Sequence, residues 1–96
     1  MEGPDEVIHQ STRLRLVATL RGAPDGEPIE FPRLKAILGV TDGNLSTHLT
    51  TLENAGYVEL DKAFVGKKPR TQVRLTATGR RAFERHVTYL RTILDA

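Results

Sequence analysis

Apolar positions recur along the chain in short patterned runs separated by breakers. From Val7 to Arg21, Val7, Ile8, Leu14, Leu16, Val17 and Leu20 appear without a Gly or Pro, which predicts one helix with an interruption near Ser11-Thr12. Residues 1–6 read as a disordered end. Gly22, Pro24, Gly26 and Pro28 make the next stretch a loop. Ile29-Glu30-Phe31 alternates and predicts a short strand. Pro32 suits the first turn of a helix, where its missing N–H costs nothing. Leu34, Ile37 and Leu38 give that helix one apolar face, and Gly39 ends it.

Thr41 is a good N-cap for the following helix, and Asp42 suits its positive first turn. Leu45, Leu49 and Leu52 lie at i, i+4 and i+7, one narrow core-facing stripe on a helix over about 42–55. Gly56 closes it as a left-handed cap, with Tyr57 folding back on Leu52. Val58 to Phe64 has β character, and Arg70 to Leu75 alternates strictly. The intervening Val65-Gly66-Lys67-Lys68-Pro69 predicts a five-residue basic hairpin tip. Thr76 caps a last helix over 77–94.

The order is helix, helix, helix, hairpin, helix. It predicts an α+β fold in a single domain over 1–96: a winged helix-turn-helix. Its parts are a three-helix core, a two- to three-stranded β wing and a C-terminal helix.

Ninety-six residues leave room for one modest core. The chain has no cysteine, which excludes disulfides and thiolate chemistry. No apolar run approaches the roughly 18 residues of a membrane span, and the acidic start lacks the basic end of a secretory signal. The expected location is cytoplasmic and nucleoid-associated, with no membrane partner. The net charge of +2 hides an asymmetry. Residues 1–61 carry ten acids against five Lys and Arg, while residues 62–96 carry nine Lys and Arg against two acids. A strongly basic end points to a polyanionic partner, against the plainer reading of a solvated face.

The stripe of the 42–55 helix leaves Gly43, Thr47, Thr50 and Asn54 pointing away, flanked by Asn44, Ser46 and Thr51. Between Gly43 and Thr51 there is no charged residue. Short neutral side chains let a helix approach base edges and phosphates closely. The predicted DNA-binding residues are Thr41, Gly43, Asn44, Ser46, Thr47, His48 and Thr50, with the helix in the major groove. Lys67, Lys68 and Arg70 of the wing, over 62–75, would lie on the backbone or in the minor groove.

At this level the sequence resembles a known family. Leu45-Ser46-Thr47-His48-Leu49, followed by Leu52-Glu53-Asn54-Ala55-Gly56-Tyr57-Val58, is similar to the recognition helix of ArsR- and MarR-type winged-helix regulators. Leu75-Thr76-Ala77-Thr78-Gly79-Arg80-Arg81 is similar to the segment after their wing. Leu38 to Leu45, together with Gly66 to Thr71, most resembles small MarR-like proteins with little beyond the DNA-binding domain. The resemblance implies homodimers on operator DNA, with positions matching Ser46, Thr47 and His48 on DNA and the wing cations on backbone. The absence of cysteine departs from metal-sensing ArsR proteins. The absence of extra terminal helices departs from larger MarR proteins, so no small-molecule effector is assigned.

The last helix carries Phe83, Val87, Leu90 and Leu94 at i, i+4, i+7 and i+11, broadened by Ala82, Tyr89 and Ile93. Phe83 is expected in the core. Val87, Leu90, Ile93 and Leu94, with Val7 and Ile8, are expected to form a two-fold interface. His9, His48 and His86 lack the i, i+4 spacing of helical metal ligands, so no metal or cofactor is expected. Neither a phosphate loop nor paired carboxylates suggest an enzyme. The expected function is sequence-specific double-stranded DNA binding by a homodimeric transcriptional regulator. The alternatives are a winged-helix protein-interaction module and a non-specific chromosome-associated protein.

Overall fold

The first helix begins later than its apolar pattern suggests. In the computed structural model, which describes residues 3–96, α1 spans Ser11–Arg21. Gln10 caps it, its side chain accepting from the Arg13 amide at 2.8 Å. The preceding residues form a separate turn around Asp5. The Asp5 carboxylate accepts from the amides of Val7 at 2.9 Å and Ile8 at 3.0 Å, and its carbonyl accepts from His9. The expected disorder of 1–6 therefore does not extend to Asp5. Met1 and Glu2 lie outside the described residues.

A 3-10 turn (Pro24–Gly26) leads to β1 (Ile29–Glu30), α2 (Phe31–Leu38) and α3 (Asp42–Asn54). The hairpin strands β2 (Val58–Val65) and β3 (Lys68–Leu75) follow, and α4 (Ala77–Leu94) ends the chain. The sheet is antiparallel in the order β1-β3-β2, pairing Ile29 with Val73 and Val58 with Leu75. This is the α+β winged-helix architecture. Leu16, Val17 and Leu20 of α1, Leu34 and Leu38 of α2, and Leu45, Leu49 and Leu52 of α3 meet Val58, Val73 and Leu75 of the sheet in one core. Ile37, expected on the apolar face of α2, is instead exposed. No helix among the described residues is long and apolar enough to cross a membrane.

The hairpin turn is shorter than its composition suggests. Val65 pairs with Lys68, which leaves only Gly66 and Lys67 to turn. Gly66 has φ of 64°, the left-handed value that a two-residue hairpin loop places at its first central position. Lys68 and Pro69 therefore belong to β3. The ladder alternates outward from the closing pair, which makes Phe64 and Pro69 a non-hydrogen-bonded pair. The N–H that proline lacks is thus one the ladder does not use there.

The base of α4 is fixed by a close approach. A Cβ on Gly79 would lie 2.2 Å from the Tyr57 carbonyl oxygen, and that oxygen already accepts from the Thr76 amide at 3.0 Å. Only glycine lets the helix backbone come this near. Thr76 caps the helix through the Gly79 amide at 2.9 Å.

Candidate nucleic-acid interface

Three leucines hold α3 and leave its opposite side free. Leu45, Leu49 and Leu52 are buried, whereas Gly43, Asn44, Ser46, Thr47 and Thr50 are exposed. Thr41, also exposed, caps the helix by accepting from the Asn44 amide at 3.1 Å. Its hydroxyl proton remains free to donate. Asp42 pairs with Lys35 at 2.8 Å, so the one acid in the first turn is occupied within the protein.

The threonine hydroxyls are oriented by their own helix. Thr47 donates to the Gly43 carbonyl at 3.0 Å and Thr50 to the Ser46 carbonyl at 3.0 Å. Each can still accept a bond, so these two positions offer acceptors and methyl groups where an unrestrained hydroxyl would offer either role. Such groups suit the adenine N6 or cytosine N4 donors and the thymine methyl in a major groove.

The wing continues that face. Ser46 and Thr50 face Leu60, Lys62 and Thr71 across an open groove of about 390 Å³, with Glu53 at its edge. Beyond the groove every residue from Asp61 to Arg70 is exposed. The candidates at the tip are not equivalent. Arg70 pairs with Glu30 of β1 at 2.9 Å, which ties it to the sheet. Among the described residues, no acid pairs with Lys62, Lys67 or Lys68. Lys62 was not among the expected contacts; its i+2 spacing from Leu60 is the signal that places it on the groove side.

His48 stands apart from the exposed set. It is half-buried, and its Nδ1 lies 3.2 Å from the Arg13 guanidinium. Burial and the neighbouring Arg13 charge both hold its pKa below the ordinary histidine value. Arg13 also donates to the Val7 carbonyl, so it joins the N-terminal turn to α3. Arg13 drew no attention in the sequence because its partners lie six and thirty-five residues away.

The residues expected at a dimer interface divide in two. Ile8 is fully buried in the protomer's own core, and Val7 packs half-buried against it. Ile8 is therefore corrected from interface to core, since Asp5 folds its turn inward. Phe83, expected in the core, is half-buried and packs against it. Val87 and Leu90 are half-buried, while Ile93 is 56% and Leu94 79% exposed. The buried positions of α4 are Gly79, Ala82 and His86.

His86 belongs to a polar cluster with the half-buried Asp5 and Tyr57. It is 2% exposed, and its Nδ1 accepts from the Asp5 amide at 3.2 Å. Tyr57, directly after α3, donates to the Asp5 carboxylate at 2.7 Å. Burial raises the Tyr57 pKa to about 12, helped by the bond to Asp5. Burial lowers that of His86. For Asp5, burial acts upward, but the bonds from Tyr57, Ile8 and Val7 and the charge of His86 outweigh it and leave the carboxyl below its ordinary value. No group of His, Cys, Asp and Glu among the described residues could hold a metal ion.

Comparison with known proteins agrees with this geometry. Residues 12–94 match the family described as winged helix DNA-binding domain. An uncharacterized protein of Methanocaldococcus jannaschii is 35% identical over 82 residues, covering 85% of this chain and 86% of that protein. The solved structure of a transcriptional regulator homologue from Pyrococcus horikoshii superposes with a TM-score of 0.84 at 27% identity, covering 95% of this chain and 87% of that one. NadR, solved in complex with 4-hydroxyphenylacetate, shares the fold with a TM-score of 0.69 at 22% identity, over 93% of this chain and 63% of its own.

Proposed function

We propose that this chain, which belongs to the winged helix DNA-binding domain family, is a homodimeric transcriptional regulator that binds specific double-stranded DNA. One observation carries the reading: Ser46 and Thr50 on the outer face of α3 and Lys62 of the wing, which pairs with no acid among the described residues, border one open groove, and the exposed Lys67 and Lys68 lie farther along the same hairpin. Asn44, Ser46, Thr47 and Thr50 would meet base edges and nearby phosphates, with Gly43 admitting the backbone. Thr41 would donate to a phosphate. Lys62, Lys67 and Lys68 would follow the backbone. Arg70 acts through its place beside Glu30, and His48 orients with Arg13 at the margin of the contact. The apolar end of α4, from Val87 to Leu94, would pair two protomers and set two recognition helices on successive half-sites. The neutral helix face favours DNA over a protein partner, which would call for an apolar face there.

The wing supplies the test. Each phosphate contact contributes about 0.9 to the slope of log K against log salt. Replacing Lys67 and Lys68 with Ala should weaken binding to the chain's own upstream DNA and to random duplex alike, and flatten the slope by about 1–2 units per protomer. A folded double mutant with an unchanged slope would remove the wing from DNA and favour a protein-interaction role.

A further inference from the structure

The wing tip carries an apolar pair that neither the fold nor simple phosphate contact requires. Phe64 is 74% exposed, although β2 could hold a polar residue there at no cost to the core. Pro69 lies directly opposite it, in the pairing class that brings side chains closest. Side chains alternate across a strand, so Phe64 shares a face with Leu60 and Lys62. Leu60 and Lys62 line the groove beside α3. Phe64 and Pro69 thus project beyond that groove, on the face presented to whatever α3 binds.

Reach and charge select the occupant. Phe64 lies four residues past Leu60, about 13 Å farther out at roughly 3.3 Å per residue. That is of the order of the roughly 17 Å half-turn between a major groove and the adjacent minor groove. The tip is only two residues wide, and Lys62, Lys67 and Lys68 surround the apolar pair. A ring flanked by cations suits a polyanion with an apolar interior, which describes a base stack between two phosphate strands. A second protein copy would have to accommodate the same cations without acids on the wing tip to pair with them.

Resting on the DNA-binding reading above, we propose that Phe64, supported by Pro69, is a wedge. It enters a base step of the minor groove flanking the site of α3, unstacks it in part and bends the duplex. The wing then contributes specificity through deformability, preferring flexible pyrimidine–purine steps beneath it over stiff A-tracts.

The test uses the full chain and a duplex recovered from a random pool by selection, with fluorophores at its two ends. Wild-type protein should shorten the end-to-end distance. Phe64→Ala, saturated onto the same duplex by its intact lysines, should lose most of that shortening, and Phe64→Leu should retain it. Replacing the flanking step with an A-tract should weaken wild type about 5- to 150-fold, the range of a lost aromatic–base contact, and leave Phe64→Ala nearly unaffected. Equal bending by wild type and Phe64→Ala, or equal sensitivity to the A-tract, overturns the wedge while leaving DNA binding intact. A Phe64→Ala protein of lower sedimenting mass than wild type without DNA would assign the ring to self-association instead. A wild type that binds no duplex would overturn both this proposal and the DNA-binding reading.

Discussion

Helices α3 and α4 carry apolar residues at the same spacing and use them in opposite ways. In α3, Leu45, Leu49 and Leu52 are all buried, and they anchor the element by themselves. In α4, Phe83, Val87 and Leu90 are half-buried and Leu94 is exposed, while Gly79, Ala82 and His86 make the deep contacts. The difference begins at the base of α4, where the buried residues Gly79 and Ala82 are small. Large residues hold α3 at a distance, across a filled core. Gly79 lets α4 press its backbone against the Tyr57 carbonyl, and the large apolar residues of its stripe stay half-buried or, at Ile93 and Leu94, exposed. Periodicity identifies the face of a helix and says nothing about what lies against it.

The contrast is broken most severely by filling the one place where α4 has no space. Gly79→Ala, with its Cβ 2.2 Å from a backbone oxygen, should destabilise the protein by several kcal/mol, above the usual range of about 0.5–3 for single substitutions. Chemical denaturation would read this as a lower midpoint. Leu49→Ala on the other helix should cost about 2–5 kcal/mol as a core cavity. Leu94→Ala, at a matching stripe position, should stay within about 0.5 kcal/mol at concentrations where the protomers are separate. If Leu94→Ala cost as much as Leu49→Ala there, the two stripes would be equivalent and the comparison wrong.

A dimer would sharpen the same comparison. Leu90→Glu should leave the protomer folded and halve the sedimenting mass at micromolar concentration. A wild type already monomeric there would refute the interface. On the outer face of α3, Thr47→Ala and Asn44→Ala should weaken binding to a specific site by about 1–3 kcal/mol with little effect on random DNA. Equal losses on both would move these side chains to the backbone.

The smallest effect concerns pH. His86 titrates below its ordinary value of 6.5 in the folded chain, because burial disfavours its charge. As pH falls through 6.5 the unfolded chain takes up the proton first, so stability declines with acidity from about that point. His48 shifts in the same direction and adds to the slope. His86→Gln should flatten the decline in a series of melts without removing it. Asp5 adds a second loss below its ordinary 3.8, since its carboxyl is held lower in the folded chain. An unchanged slope in His86→Gln would show that His86 accepts its proton without strain.

Local pattern was enough for most of the frame. Thr41 and Thr76 cap the helices that their positions suggested, Gly39 closes α2 in the left-handed region, and the leucine stripe of α3 is buried as its spacing implies. Those features depend on residues three or four apart. The misreadings have longer reach. Ile8 is core because Asp5, bonded to residues 52 and 81 positions away, folds the N-terminal turn inward. Lys68 and Pro69 have the composition of a loop, but the pairing of Val65 with Lys68 draws them into a strand. Among the candidate contacts, the exposed side of α3 could be drawn from helical geometry alone. The pairing of Arg70 with Glu30 could not, because β1 meets β3 only in the folded sheet.

The Asp5 cluster has a mechanical consequence. Its carboxylate holds Tyr57 at the outgoing end of α3, its amide holds His86 in the middle of α4, and Gly79 seats α4 directly on the Tyr57 backbone. The two helices are thus tied at this joint through Tyr57 and Asp5. A tilt of α4 would therefore bear on the end of α3 as a lever bears on its load. In an assembly built through α4, the spacing of the two recognition helices becomes a fixed gauge. Loosening that gauge would take no change on the DNA side of the molecule: the half-buried Tyr57 and the Asp5 turn that holds it lie away from the outer face of α3.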